Sequence, residues 1–318
     1  MGLKVLITDY AWPDLDIERA ILAEVGAEVI LPEDQDAASL ARAAVEADAI
    51  MTNWANVPAQ VIAAAAGCRI VARLGVGLDN IDVAFATERG IVVTNVPDYC
   101  RTEVAEHALA LILALARKVA YYHAQTKSGV YNLKAGPALR RIEGQTLGIV
   151  GLGSIGRSLA EKAVGIGLCV AAFSRSGRQS PGVRLVSLDE LLTHSDYVSL
   201  HVPLSDQTRH LIGAEQLRRM KPSAYLINTA RGDVVDHSAL AEALDQNQLA
   251  GAALDVQSPE PPDLSQPPYN DPRVIVTPHA AFVSVESLEN LRSRASRQVA
   301  TRLAGGVPEA VVNPRVLQ

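Results

Sequence analysis

Cysteine and aromatic residues are scarce in this sequence. The chain of 318 residues has three cysteines, Cys68, Cys100 and Cys169, which lie far apart and in no metal-ligand spacing. Neither a disulfide framework nor a zinc site is therefore expected. Aromatic residues make up 4% of the chain. The core must come from aliphatic side chains, which favours buried parallel strands covered by helices.

An excess of basic charge and a long apolar run are also missing. The formal net charge is −6, which argues against a broad nucleic-acid surface. No stretch approaches the roughly 18 uncharged apolar residues that a membrane span requires. The first residues, MGLKVLITDY, have the pattern of a strand and not of a signal peptide. We therefore expect a cytoplasmic protein that binds neither nucleic acid nor a membrane.

Short β-branched runs alternate with longer helical patterns along the chain. This alternation predicts an α/β fold with parallel sheets covered by helices on both faces. A first series of predicted strands lies at 3–9, 27–32, 48–53, 69–74 and 90–95. A second series lies at 146–150, 168–173, 197–202, 224–229, 250–256 and 273–278. Two series in a chain of this length predict two doubly wound domains.

The longest predicted helix, at about 102–126, separates the two series of strands. It is rich in alanine and leucine and apolar around most of its girth, which predicts burial on several sides. We expect His107, inside this helix, to be structural. A further helix is expected from Ser284, and the proline-rich segment 257–272 is expected to form a loop.

The most informative window is QTLGIVGLGSIGRSLAEKAVGIGLCVAAFSRS, residues 145–176. An apolar strand leads into a GxGxxG turn, and a helical pattern follows. Gly151 permits the tight turn, Gly153 lets the backbone approach a pyrophosphate, and Gly156 lets the helix pack close to the strand. Ser154 and Ile155 complete the loop at the helix N-terminus, which favours an anion. The window predicts a dinucleotide site.

The end of the next strand bears on the choice between the two nicotinamide cofactors. NAD-preferring sites commonly carry an acidic residue there. This strand instead ends in Phe173, Ser174, Arg175 and Ser176. Arginine pairs with phosphate through two hydrogen bonds, and the hydroxyls would suit a 2′-phosphate as well. We expect NADP(H) to be favoured and leave NAD(H) open.

Three later windows carry the residue types that hydride transfer to a carbonyl needs. The reaction needs a proton donor and a cation that holds a carboxylate and polarises the carbonyl. Arg231 follows a strand in INTARGDVVD, Glu260 follows another in LDVQSPEPPD, and His279 follows the last in VTPHAAF. Ligands of open α/β sheets bind at the carboxyl ends of strands. These are our candidate catalytic residues, although from spacing alone each also fits an ordinary structural role.

Five motifs in this order resemble those of the D-isomer-specific 2-hydroxyacid dehydrogenase family. They are GLGSIGR, the turn His201-Val202-Pro203-Leu204, NTARG, ALDV…EPP and TPHAA. RLGVGLDNID and NVPDYCRTEVAEHALALIL extend the resemblance into the first half of the chain. The resemblance implies an oxidoreductase that moves a hydride between NAD(P)(H) and a small 2-oxo or D-2-hydroxy acid.

The resemblance also implies a domain organisation. A central Rossmann domain, at 99–284, would bind the cofactor. A discontinuous flavodoxin-like domain, at 1–98 plus 285–318, would bind the substrate. In such proteins the long helix near 102–126 commonly lies at a dimer interface, so a homodimer is expected.

The resemblance assigns roles to single residues. Arg231 would bind the substrate carboxylate and carbonyl, His279 would be the general acid/base, and Glu260 would be its partner. The backbone of Val76 and Gly77 would receive the substrate carboxylate. Besides the glycine loop and the end of the following strand, the implied cofactor residues are Val104, His201, Pro203, Thr229, Ala230 and Asp255.

The loop after the third predicted strand is expected to form part of the substrate wall. Asn53 and Trp54 give it an amide and an indole, but it has no lysine or arginine. A phosphorylated substrate would need a cation there. We therefore favour glyoxylate, hydroxypyruvate or a similar small 2-oxo acid, although Arg73 could reach the substrate from the other side.

A binding protein with little turnover is the alternative function. NVPDYC…EVAEHALALIL also resembles C-terminal-binding-protein corepressors, which use the same fold as a dinucleotide-sensing scaffold. Arg231, Glu260 and His279 favour an enzyme, but such corepressors keep these groups too. The two functions differ in turnover with small 2-oxo acids.

Overall fold

A computed structural model describes residues 2–135, 138–175 and 177–318. The chain divides into two compact units. The terminal unit consists of residues 1–99 and 284–318, and the central unit consists of residues 100–283. Each unit is built around one parallel β-sheet. No helix among the described residues is both long enough and apolar enough to cross a membrane.

The terminal unit contains a five-stranded parallel sheet with the order β2-β1-β3-β4-β5. This is the flavodoxin-like order, in which successive strands are added first on one side of β1 and then, from β3 onwards, on the other side. The strands are β1 (Leu3–Ile7), β2 (Ala27–Ile30), β3 (Ala49–Thr52), β4 (Ile70–Arg73) and β5 (Val92–Thr94). All five were predicted, and the structure shortens each of them.

The central unit contains a seven-stranded parallel sheet with the order β12-β11-β10-β9-β6-β7-β8. Six of these strands follow the Rossmann order, which reverses between β6 and β9, and β12 adds a seventh. The strands are β6 (Thr146–Val150), β7 (Cys169–Phe173), β8 (Val183–Leu185), β9 (Tyr197–Leu200), β10 (Tyr225–Asn228), β11 (Gly251–Leu254) and β12 (Val274–Val276). The predicted pair of doubly wound parallel sheets is confirmed. β8 was missed because its three residues, VRL, carry too little periodicity.

Most of the helices connect successive strands within one unit. They are α1 (Asp16–Ala23), α2 (Ala37–Ala44), α3 (Ala59–Ala64), α4 (Val83–Glu88), α5 (Arg101–Arg117), α6 (Val119–Lys127), α7 (Ser154–Gly165), α8 (Leu188–His194), α9 (Ala214–Arg219), α10 (His237–Asp245) and α11 (Val285–Leu303). Short 3₁₀ turns lie at Leu133–Ala135, Gly232–Val234 and Pro314–Leu317.

The prediction of one continuous helix at 102–126 is wrong. Lys118 has a φ of +54° and ends α5 in the left-handed conformation, and α6 starts directly after it. One face of α5 is buried, whereas α6 buries none of its residues. Burial on several sides therefore does not hold for the second part of the stretch. The longest helix is α11, which begins where the sequence predicts, after the N-cap Ser284.

Apolar side chains of the first sheet point alternately into two cores. Val5 and Ile7 pack in one core with Leu291 of α11, while Leu6 packs in the other with Leu40 of α2. This alternation follows from the two-residue period of a strand. The seven-stranded sheet likewise has a core on each face. Burial on both faces leaves the carboxyl ends of the strands as the places where polar side chains collect.

Candidate active site

The loop between β6 and α7 depends on glycine. Gly151 has a φ of +101°, in the left-handed region that favours glycine. A Cβ atom on Gly151 would collide with the backbone carbonyl of His201, and one on Gly156 would collide with the carbonyl of Gly151. Helix α7 therefore starts directly against the end of β6.

The space in front of α7 is open at the middle glycine of this loop. Gly153 is the N-cap residue of α7 and makes no side-chain capping bond. A Cβ atom on Gly153 would meet no atom within 4 Å. Ser154 and Ile155 form the first turn, and Ser154 is exposed. A helix N-terminus that faces open space suits an anion, so these residues fit the pyrophosphate of a dinucleotide.

Two of the three candidate residues after β7 can be described. Ser174 is half-buried and Arg175 is exposed. The Nη1 atom of Arg175 donates a hydrogen bond to Oε1 of Gln207 at 2.6 Å. This partner is a neutral amide, so the contact leaves the guanidinium charge uncompensated. Ser176, the third candidate, lies outside the described residues.

His201 and Pro203 follow β9, the strand next to β6. The His201 backbone N–H donates to the carbonyl of Val150 at 2.8 Å, and its Nε2 lies 2.9 Å from the hydroxyl of Ser199. Burial lowers the pKa of His201 to about 4, so the ring is neutral near neutral pH. Pro203 is exposed. The end of β9 is therefore an uncharged border beside the glycine loop.

The turn after β10 is organised by the buried side chain of Asn228. Its Oδ1 accepts the N–H of Ala230 at 3.0 Å, and its Nδ2 donates to the carbonyl of Arg231 at 2.8 Å. The Arg231 guanidinium in turn donates to the carbonyl of Ala230 at 2.8 Å. The hydroxyl oxygen of Thr229 is buried and has no hydrogen-bond partner among the residues that the structure describes. Since buried hydroxyls are normally bonded, this one fits a further ligand.

Asp255, directly after β11, is fully buried and holds the segment that follows β12. Its carboxylate accepts the N–H groups of Ala280 and Ala281, both at 2.9 Å, and the hydroxyl of Thr277 at 2.6 Å. Its carbonyl accepts the N–H of His279 at 2.8 Å. These bonds stabilise the segment in which His279 adopts a φ of +52°, an uncommon conformation for a histidine.

Helix α5 contributes His107 to the same network. Its Nε2 lies 3.1 Å from the hydroxyl of Thr277 and 3.4 Å from a carboxylate oxygen of Asp255. Val104, one turn earlier on α5, is buried. The sequence predicts a structural role for His107. Its contacts extend that role to the support of the loop that carries His279.

Glu260 and His279 form a hydrogen-bonded pair. Oε2 of Glu260 lies 2.8 Å from Nδ1 of His279, and its Oε1 accepts the N–H of Gln257 at 2.8 Å. Burial alone would raise the pKa of Glu260, but the bond and charge of His279, the Gln257 N–H and the charge of Arg231 together lower it. Glu260 is therefore ionised near neutral pH, and its carboxylate orients the imidazole ring of His279. Phe282 packs edge-to-face on His279, with ring centroids 6.1 Å apart.

In the terminal unit, the loop after β3 is fixed by Asp9, which lies beyond the end of β1. The Asp9 carboxylate accepts the N–H of Asn53 at 2.9 Å and the N–H of Trp54 at 2.6 Å. Asn53 is buried, and its Nδ2 has no hydrogen-bond partner within the described part of the chain. Trp54 is 45% exposed. The loop therefore offers one buried amide and one exposed indole.

The turn after β4 contains Val76 and Gly77. Val76 is exposed. The preceding Gly75 packs against the guanidinium of Arg73, so closely that a Cβ atom on Gly75 would collide with it. Arg73 is 8% exposed, and its Nη1 lies 3.4 Å from Oδ1 of Asn53. Within the terminal unit, Arg73 thus brings this turn and the Asn53 loop together.

Several supporting polar residues were not selected from the sequence. They are Asp9, Asn228, Gln257 and Thr277. Asn228 ends β10, and Asp9 lies two residues after β1, so the rule about carboxyl strand ends could have found both. Thr277 and Gln257 contact groups that are remote in the sequence, and no local pattern identifies them.

Comparison with known proteins agrees with this geometry. Residues 109–281 match the family model described as the NAD-binding domain of D-isomer-specific 2-hydroxyacid dehydrogenases. The chain is 43% identical over 275 residues to a glyoxylate reductase of Korarchaeum cryptofilum, and the match covers 82% of this chain and 81% of that protein.

Solved structures share the whole architecture. A protein of Thermus thermophilus superposes with a TM-score of 0.90 at 34% identity, covering 98% of this chain and 100% of that one. An NADPH-dependent glyoxylate/hydroxypyruvate reductase of Sinorhizobium meliloti, in complex with NADP and malonate, gives a TM-score of 0.86 at 28% identity. That match covers 98% of this chain and 97% of the other.

The glycine loop, the charged strand ends and these relatives lead to one assignment. The protein is an oxidoreductase that binds a nicotinamide dinucleotide and transfers a hydride to or from a small 2-oxo or 2-hydroxy acid. This chain belongs to the D-isomer-specific 2-hydroxyacid dehydrogenase family.

Proposed function

We propose that the protein is an NADP(H)-preferring reductase of glyoxylate, hydroxypyruvate or a similarly small 2-oxo acid. The observation that carries the proposal is the Glu260–His279 pair, with Oε2 and Nδ1 2.8 Å apart, at the same edge of the sheet as the glycine loop. The dinucleotide, when bound, supplies the hydride for the reduction. The protein supplies the proton, the positive charge and the orientation of the substrate.

His279 is the proposed general acid. Its Nδ1 faces Glu260, so the proton for the carbonyl oxygen of the substrate is carried by Nε2, on the other side of the ring. Glu260 stays ionised because its pKa lies below the ordinary value. An ionised partner stabilises the imidazolium before the transfer and holds the ring in one orientation afterwards.

Arg231 is the proposed substrate cation. A guanidinium binds a carboxylate with two parallel hydrogen bonds, and beside a carbonyl it stabilises the negative charge that develops on the oxygen. The bonds of Asn228 fix the backbone on both sides of Arg231. Arg231 also lies close enough to Glu260 for its charge to lower the pKa of that carboxyl.

The proposed substrate residues of the terminal unit are Asn53, Trp54, Val76 and Gly77. The buried Nδ2 of Asn53, which has no partner among the described residues, supports a role in binding a polar ligand. Arg73 makes hydrogen bonds within its own unit and is 8% exposed. A cation held in this way supports a small, unphosphorylated substrate.

The preference for NADP(H) rests on Ser174 and Arg175, with Ser176 as a third proposed contact. The Arg175 guanidinium is exposed and bonded to a neutral amide, so its charge can pair with a 2′-phosphate. The remaining proposed cofactor residues line the ends of β6, β9, β10 and β11 or lie on α5. They are Val104, Gly151, Gly153, Ser154, Ile155, Gly156, His201, Pro203, Thr229, Ala230 and Asp255.

A screen of small 2-oxo acids with NADPH and NADH tests the substrate and the cofactor together. We expect turnover with glyoxylate or hydroxypyruvate, a higher kcat/KM with NADPH, and loss of that preference in Arg175→Ala. Arg218→Ala, which removes an exposed arginine on α9, is the matched control. A preference for NADH in the wild type would overturn the cofactor proposal. NADPH binding without turnover on any 2-oxo acid would instead support the scaffold, which the enzymatic relatives do not favour.

We also propose a homodimer, formed through α5, α6 and the residues that follow. α6 buries none of its residues, and beyond it Tyr131 is 93% exposed and Leu133 is 82% exposed. Large apolar side chains with this exposure are typical of an interface. Light scattering should give the mass of two chains, and Leu133→Asp should shift it towards one. A monomeric wild type would contradict the proposal.

A further inference from the structure

A histidine and a tyrosine that the proposed mechanism does not use join two parts of the active-site edge. His237 is the first residue of α10 and follows Arg231 by six positions. Its Nε2 lies 3.2 Å from the carbonyl oxygen of Gly232, and its Nδ1 is hydrogen-bonded to the hydroxyl of Tyr269. The two rings pack edge-to-face, with centroids 5.5 Å apart.

Tyr269 belongs to the proline-rich segment that carries Glu260. The backbone of Ser258 and the negative charge of Glu260 both lie near enough to the Tyr269 hydroxyl to influence its pKa. Burial together with that charge raises the pKa of Tyr269, so the hydroxyl keeps its proton and donates it in a hydrogen bond.

These bonds have one consistent direction. The Tyr269 hydroxyl donates to Nδ1 of His237, and the His237 Nε2–H donates to the Gly232 carbonyl. The chain requires a neutral imidazole, and burial lowers the pKa of His237. In this arrangement the polar atoms of both side chains are satisfied, which makes such a network rigid.

The two segments are also in direct backbone contact. A Cβ atom on Gly232 would collide with the carbonyl of Gln257, so only glycine allows this approach. The side chain of Ser258 lies near enough to the Asp233 carboxylate to lower the pKa of that carboxyl. The contact lies one residue from Arg231 on one side and three residues from Glu260 on the other.

From this geometry we infer that His237 and Tyr269 form a polar brace that sets the position of Arg231 relative to the Glu260–His279 pair. They are positioning residues, and the inference rests on the proposed roles of Arg231, Glu260 and His279. If the brace is lost, the Arg231 turn and the Glu260 loop keep their backbone contact but can shift against each other. Small displacements of reacting groups have large kinetic effects, roughly a hundredfold for 1 Å.

Kinetics of Tyr269→Phe and His237→Phe test the brace. We expect each variant to lower kcat/KM for the 2-oxo acid about tenfold, through both kcat and KM, because a neutral hydrogen bond has about this effect. The kcat/KM of the double variant should be no lower than that of either single variant, because each of the three variants breaks the same chain of hydrogen bonds. The Kd of the dinucleotide should stay within about twofold of the wild-type value, and Tyr225→Phe, which alters a half-buried tyrosine at the amino end of β10, is the matched control.

His237→Gln separates positioning from a merely structural role. An amide offers an acceptor and a donor on neighbouring atoms, as the neutral imidazole does, so this variant should keep most of the wild-type kcat/KM. Wild-type kinetics in Tyr269→Phe, or losses that multiply in the double variant, would overturn the inference.

Amide hydrogen exchange gives a readout that does not need turnover. Tyr269→Phe should speed exchange in peptides that cover residues 255–261, because the proline-rich segment loses its hydrogen bond to His237 and opens more readily. If the wild type reduces no 2-oxo acid, the proposed function fails, and unchanged exchange in Tyr269→Phe would then overturn the brace independently.

Discussion

Two parts of the same sheet edge are built by opposite means. At the ends of β6 and β7, the loop Gly151–Gly156 has no charged side chain, and its shape depends on missing Cβ atoms. At the ends of β10, β11 and β12, the edge carries Arg231, Glu260 and His279, which influence one another by hydrogen bonds and charge. The first part offers backbone to a ligand, and the second offers reactive side chains.

The two parts also differ in what supports them. The glycine loop is held by the strand before it, the helix after it and the backbone at Phe173 and His201, without any charged side chain. The charged part needs a second layer of polar groups, such as Asn228 behind Arg231 and Asp255 behind His279. Substitutions should therefore separate the two parts: changes in the charged part should abolish chemistry, and changes in the glycine loop should weaken binding of the dinucleotide.

Arg231→Ala is expected to have the largest effect. Loss of the cation removes both the carboxylate partner and the charge that stabilises the developing oxyanion, so kcat/KM should fall by roughly a thousandfold or more. The Kd of NADPH, measured by fluorescence titration, should change little, because the glycine loop is untouched. Arg218→Ala, an exposed arginine on α9, is the control. Turnover that survives in Arg231→Ala would rule out the assignment.

His279→Gln should have the next largest effect. The amide keeps a polar group but cannot deliver the proton, so kcat should fall by about a hundredfold or more. The pH dependence of kcat should change shape as well. His194→Gln alters an exposed histidine and should leave both unchanged. An unaltered rate and pH profile in His279→Gln would count against its role as the acid.

Two alanine substitutions in the glycine loop should give different results. Gly156→Ala introduces a collision with the Gly151 carbonyl, so it should destabilise the protein by about 1–3 kcal/mol and lower the Tm. Gly153→Ala meets no atom within 4 Å and should leave the Tm unchanged. Its methyl group would occupy the place of the pyrophosphate, so the Kd of NADPH should rise about tenfold. Unchanged affinity in Gly153→Ala would mean that the loop does not hold the dinucleotide.

The last expected effect, which is absent at neutral pH, is a pH dependence of stability from His201. Its pKa is about 4 in the folded protein, below the ordinary 6.5, so the unfolded chain takes up a proton more readily. The contribution to stability is complete above about pH 6.5 and is lost as the pH falls towards 4, on the order of 3 kcal/mol in total. The free energies of unfolding of the wild type and of His201→Gln, measured with denaturant, should diverge as the pH falls through this interval. If the free energies of unfolding of the two proteins change with pH in parallel, the lowered pKa of His201 is contradicted.

The sequence predicts the glycine loop well because the signal is local. A strand, three glycines and a helix lie within about 20 residues, in the order and spacing that a dinucleotide site requires. The strand ends that carry Arg231, Glu260 and His279 were likewise predictable, because each follows an apolar run. Their roles came from the resemblance to a family and not from spacing.

The boundaries of elements were less predictable. The sequence around Lys118 continues the helical pattern, but that residue adopts a φ of +54° and divides the stretch into α5 and α6. Tertiary packing decided this break, since α5 is buried on one face and α6 has no buried residue. β8 is too short for its period to be visible.

The sequence by itself determined the alternation of strands and helices, the place of the dinucleotide loop and the residue types at the strand ends. These follow from periodicities and steric rules that act over a few residues. Only the tertiary structure decided which groups meet: Glu260 with His279, His107 with Asp255, and His237 with Tyr269. Such pairs join residues 19 to 148 positions apart in sequence, and the order of the strands in the sheet, which no local pattern encodes, brings them within hydrogen-bonding distance or close to it.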